Sequence, residues 1–253
     1  MMSVPVVMTE TNALTFLPAM RRFALAAMAL LPPAACVTAP ALKEGCAANF
    51  LCAARAAEPE LISASRGLAE REGEILILHP TGAPIIGFAD HRTACDTDDV
   101  DKCDGYALMG TFPKARAIVV QQFLYEGSSF LLIDNNTGRQ TRLNAMPAFS
   151  PDGNHFLVAP YDQENDTGPN HLEIWRREGD GAVLEWAHSL EQEHAEDPAL
   201  PEPYQTRLLR WRDDRLALEF FTDDGKRWRG SLTRAQDGWR LDAQSPPGLF
   251  ARP

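Results

Sequence analysis

Ten residues, Asp96-Thr97-Asp98-Asp99-Val100-Asp101-Lys102-Cys103-Asp104-Gly105, crowd five aspartates beside a cysteine, with Cys95 just ahead of them. Calcium takes six to eight oxygen ligands from carboxylates and carbonyls, and an acidic loop supplies several. Asp96, Asp98, Asp101 and Asp104 are therefore the candidate metal ligands, and calcium the candidate cofactor. The spacing departs from the twelve-residue EF-hand pattern, because no acid follows Gly105 at the right distance. A solvated acidic loop is the simpler reading.

Two further constellations invite chemistry. His188-Ser189-Leu190-Glu191-Gln192-Glu193-His194 carries two histidines and two glutamates. A zinc hydrolase sets its ligands on one helical face with His-Glu-x-x-His spacing, which is missing here. A polar insertion loop explains the segment better. Ser150, Asp152 and His155 hold the residue types of a hydrolytic triad. In extended strands, neighbours face opposite sides, so residues this close do not converge. No Gly-x-Ser-x-Gly elbow accompanies them. No catalytic residue is assigned, and the enzymatic alternative is an exported hydrolase whose site is made from scattered loop carboxylates.

The elements that position these groups read as strands. Four apolar-turn-apolar segments predict hairpins: Ile75–Phe88, Phe130–Leu143, Leu172–Trp186 and Gly230–Leu241. Their turns hold Thr81-Gly82, Asn135-Asn136-Thr137-Gly138, Gly179-Asp180-Gly181 and Asp237-Gly238, residues that tolerate positive φ. The turn glycines recur at intervals of 56, 43 and 57 residues. A unit of about 42 residues with two insertions of about 15 accounts for that recurrence. The insertions are Asp90–Gly105 and Ser189–Tyr204.

Three more strand pairs lie between the hairpins, in 106–125, 148–161 and 206–222. Each pair with the hairpin after it predicts one four-stranded antiparallel meander. The fold class is thus all-β: three meanders and an initial half unit, about fourteen strands in all. All five tryptophans fall in these strands, where aromatics pack between sheets.

Within the second pair, Phe149-Ser150-Pro151-Asp152-Gly153 joins two strands: proline presets φ, Asp bonds its own backbone, and Gly takes positive φ. This segment resembles the blade turn of TolB-type and WD40-like β-propellers. The resemblance implies a partial or small propeller-like architecture and leaves function open, since propellers serve many.

The N-terminus reads as an export tag. Arg21-Arg22 precede the apolar run Phe23–Leu31, then small residues and Cys36. A basic start, a short apolar run and a small-residue cut define a secretory signal. Pro33-Ala34-Ala35-Cys36 resembles a bacterial lipobox, which implies a lipid on Cys36. Met20 suits a start codon, which would leave 1–19 untranslated. The expected organisation is a signal segment over 1–35, a leader with a short helix over 36–73, and a β domain over 74–253.

Cys46, Cys52, Cys95 and Cys103 then remain, an even count that suits two disulfides in an oxidising compartment. Nearest-neighbour pairing, Cys46 with Cys52 and Cys95 with Cys103, is the expectation. The net charge of −11 argues against nucleic acid or an anionic membrane surface as partner. Membrane association is expected only through Cys36. The expected function is a non-catalytic binding or scaffold protein of the bacterial envelope, periplasmic or outer-envelope associated, with a protein or envelope component as partner. A small inhibitor-like protein is a third reading, drawn from the close cysteine pairs.

Overall fold

The computed structural model describes residues 50–96, 102–125, 127–159, 171–189, 205–221 and 225–243. Among the described residues the order is a helix, α1 (Phe50–Ala64), then fifteen strands, with a short 3-10 turn (Arg92–Asp96) between the third and fourth. The first sheet holds β1 (Ala69–Glu72), β2 (Ile75–Leu78) and β3 (Ile86–Ala89). The second holds β4 (Asp104–Phe112), β5 (Ala117–Leu124), β6 (Ser128–Asp134) and β7 (Gln140–Leu143). The third holds β8 (Ala148–Phe149), β9 (His155–Val158), β10 (His171–Glu178) and β11 (Gly181–Ser189). The fourth holds β12 (Gln205–Arg212), β13 (Arg215–Phe221), β14 (Arg227–Ala235) and β15 (Gly238–Ala243).

Strand order follows chain order in every sheet and each pairing is antiparallel, so the expected meanders are present. Sequence reading gave the first unit one hairpin; it has a third strand, β1, inside the segment assigned to the leader. The four residues Ala69-Glu70-Arg71-Glu72 lack apolar alternation, and half-buried Arg71 is held by ion pairs instead.

Period-two alternation stacks the sheets. In the second sheet, Ile118, Val120, Leu131 and Ile133 pack toward Leu76, Leu78 and Phe88 of the first. Their neighbours Val119 and Leu132 turn the other way, toward Phe156 and Val158 of the third. Leu157, Leu172 and Ile174 then face Trp211, Leu216, Leu218, Phe220, Trp228 and Trp239 of the fourth. A strand buried on both faces must be apolar throughout, as Ala117-Ile118-Val119-Val120 is. The tryptophans serve this packing: Trp211, Trp228 and Trp239 are buried, and Trp175 and Trp186 pack against the clusters.

The turns also interlock. A Cβ on Gly82 would lie 2.3 Å from the carbonyl oxygen of Asn136, and one on Gly153 2.4 Å from the backbone of Lys114. Neither position admits a side chain, so each turn seats directly on that of the neighbouring unit. Asp134 fastens a third junction. Its Oδ1 accepts the N–H groups of Asn136 and Thr137 at 2.9 and 3.0 Å, and its Oδ2 pairs with Arg177 of β10.

Candidate functional site

Helix α1 covers the open edge of the second sheet. An edge strand presents unpaired backbone groups, which need a cover. Here side chains replace the missing strand. Glu58 Oε1 accepts the Leu108 N–H at 2.7 Å, Asp90 Oδ1 accepts the Tyr106 N–H at 2.9 Å, and Arg71 donates to the Tyr106 carbonyl at 2.7 Å. The same groups pair among themselves. Arg71 Nε and Nη2 reach the two Glu58 oxygens at 2.5 and 2.9 Å, and Arg55 bridges Glu58 and Asp90. The Glu58 side chain is only 2% exposed, so this is a buried structural clamp.

Of the expected calcium ligands, only Asp104 has its side chain among the described residues. Asp104 spends one oxygen on His91 Nδ1 at 2.7 Å and the other on the Tyr106 hydroxyl at 2.8 Å. Burial, and then the hydrogen bond to Asp104, push the Tyr106 hydroxyl up to about 12. Asp96 closes a short 3-10 turn, Arg92–Asp96; its side chain, with Asp98 and Asp101, lies outside the described residues. No group of three or more metal-binding side chains forms among the described residues. Cys52 and Cys103 are each disulfide-bonded. Cys36, Cys46, the Cys95 side chain and His194 lie outside the described residues, as do the export segment and most of the second insertion.

The Ser150 and Asp152 side chains and the His155 backbone build a turn. The Ser150 hydroxyl donates to Asp152 Oδ1 at 2.6 Å and accepts the His155 N–H at 2.9 Å. The Ser150 hydroxyl and then the Asn154 N–H hold the Asp152 carboxyl below its ordinary range. The His155 imidazole turns toward Glu185 of β11, 3.3 Å away. Glu185 also accepts from Arg234 at 2.8 Å and from the Trp239 indole at 3.1 Å, tying the third sheet to the fourth.

Beside this turn lies an open cleft of about 230 Å³. Thr111, Phe112, Pro113 and Ala115 line it together with Phe149, Ser150 and Gly153. The Phe112 and Phe149 rings are 4.6 Å apart. Lys114 is fixed at the margin, its Nζ donating to the Pro151 carbonyl at 2.8 Å. The Phe149–Gly153 turn was legible in the sequence and the cleft was not, because only tertiary contact with the Pro113-Lys114 turn creates it. The usable signal was a Phe-Pro pair in one turn and a Phe-Ser-Pro in the next.

The architecture defines a class: an all-β, propeller-like run of stacked antiparallel meanders with an N-terminal helix. No protein-family model matches the chain, and no curated protein matches it. Among solved structures, the N-terminal domain of Nup159 is similar with a TM-score of 0.34 and 10% sequence identity, over 70% of this chain. The match spans 47% of that protein's chain, about half its length.

Proposed function

We propose that this chain is an exported, non-catalytic binding module that holds a protein partner through the cleft between the Phe112–Ala115 and Phe149–Gly153 turns. The cleft carries the reading. Small-molecule sites usually run from about 300 to 1,000 Å³. At about 230 Å³, with aromatic and proline walls, this cleft suits one apolar side chain of a docked protein. Gly153 packs directly on the Lys114 backbone, so the two turns that line the cleft are in contact.

The envelope setting is part of the proposal and draws on the sequence. Arg21-Arg22, the apolar run and Cys36 support secretion, with lipidation at Cys36. The cysteines support an oxidising compartment, and Cys46–Cys52 and Cys95–Cys103 remain the proposed pairs. The Phe149–Gly153 turn supports kinship with TolB-type or WD40-like propellers.

Mass analysis of the mature N-terminus, with fractionation of the envelope, tests the setting. A lipid-modified Cys36 in the membrane fraction is expected; an unprocessed chain in the cytoplasm would end it. Hydrolytic turnover abolished by Glu173→Gln would replace the binding reading, because Glu173 contacts both His171 and Trp175.

A further inference from the structure

The outer face of the fourth sheet opposes the charge of the chain that carries it. Trp211, Leu216, Leu218, Phe220, Trp228, Leu232 and Trp239 are buried against the third sheet, so the residues alternating with them point outward. Cross-strand register sets them in rows: Arg207–Glu219–Arg229, then Arg210–Ala217–Ser231–Asp242, then Arg212–Arg215–Thr233–Arg240. Arg227 lies beyond the first row, over the Phe221 ring. Seven arginines thus share a face with two acids, on a chain of net charge −11.

Arg207 pairs with Glu219, and Arg240 with Asp237. Arg210, Arg212, Arg215 and Arg229 make no ion pair among the described residues. Arg212 and Arg215 are directly opposed in the register. Like charges in that position destabilise a sheet. An oxyanion lying between them would reverse that cost, because a guanidinium fork matches phosphate in two hydrogen bonds.

We infer that this face is a docking surface for an anionic phospholipid bilayer. The choice of lipid rests on the proposed export; a single lipid chain anchors weakly and is commonly reinforced by a basic patch. Net charge does not forbid the contact. At 0.15 M salt the screening length is about 8 Å, so the bilayer meets the arginine face and little of the acidic remainder. At 0.01 M it is about 30 Å, and the whole charge of −11 is felt. Binding therefore passes through a maximum at intermediate salt, which a uniformly basic protein would not show.

The test uses the full chain carrying Cys36→Ser, so that no lipid contributes. Co-sedimentation is measured with vesicles of phosphatidylglycerol in phosphatidylcholine, and with phosphatidylcholine alone, at 0.01, 0.15 and 1 M salt. Binding is expected to the anionic vesicles only, strongest at 0.15 M. Arg212→Gln/Arg215→Gln should weaken it roughly fivefold per arginine. The charge-matched Arg66→Gln/Arg92→Gln pair should leave it unchanged. The first double variant should also unfold at a higher urea midpoint, since a like-charge pair is removed.

No binding at 0.15 M, equal loss in both double variants, or capture by polyglutamate in preference to the vesicles overturns the inference. If Cys36 is found processed and the vesicles still fail, this inference alone falls and the export reading stands.

Discussion

Glu58 and Leu108, fifty residues apart, meet in a 2.7 Å hydrogen bond from a strand's backbone N–H to a helix carboxylate. The bond explains why the chain places a helix ahead of its strands. The second sheet begins with an edge, and α1 seals it with side chains. Removing one member of a buried charge pair costs about 3–5 kcal/mol, because the partner is left uncompensated. Glu58→Ala should lose that much in urea unfolding. Glu58→Gln, which keeps an acceptor for Leu108, should lose less. A loss under about 1 kcal/mol in Glu58→Ala would show that water replaces the carboxylate and that the edge is not sealed.

Gly153 has φ +78° and its missing Cβ would overlap the Lys114 backbone. Gly179 has φ +57° and open space around it. Both need the left-handed region, but only one is also wedged. Gly179→Ala should cost about 1 kcal/mol, and Gly153→Ala about 3 kcal/mol. Equal losses would mean that the two turns do not seat on each other.

Tyr106 gives an alkaline signature. Its hydroxyl is raised to about 12 by burial and by Asp104. The folded state therefore keeps a proton that the unfolded state loses near pH 10. The resulting stability is complete below pH 10 and disappears as pH rises toward 12. Ultraviolet titration should show a late tyrosine that is absent from Tyr106→Phe. Titration of every tyrosine near 10 would contradict the geometry.

Asp134 gives the acid counterpart. Burial pushes its carboxyl up, but the Asn136 and Thr137 N–H groups and Arg177 together hold it below its ordinary value of 3.8. A depressed carboxyl contributes stability above that ordinary value, lost as pH falls through the depressed one. Urea midpoints followed from pH 7 to 2 should fall less steeply in Asp134→Asn than in the parent. Parallel curves would mean that the Arg177 pair contributes nothing.

The three full meanders were legible because their turns are written in Gly, Asn and Asp, and their inner strands in unbroken apolar runs. β1 was not, since Arg71 is held there by pairing with Glu58, thirteen positions away in a different element. The cleft shares that difficulty: Phe112 and Phe149 meet only once two sheets stack. The arginine face was legible in part. Arg227-Trp228-Arg229 alternates as a strand should, but the irregular pairing between Leu208 and Arg210 breaks the period in β12. Net charge concealed the rest, because an average carries no information about which face holds which sign.

The proposed binding role is tested most directly by a photo-crosslinking residue replacing Lys114, at the margin of the cleft, in intact cells. The account predicts one adduct of discrete mass in the envelope fraction. It also predicts that Thr111→Arg, at a half-buried position lining the cleft, abolishes that adduct while thermal unfolding stays unchanged. An adduct indifferent to Thr111→Arg, or none at all, would contradict it.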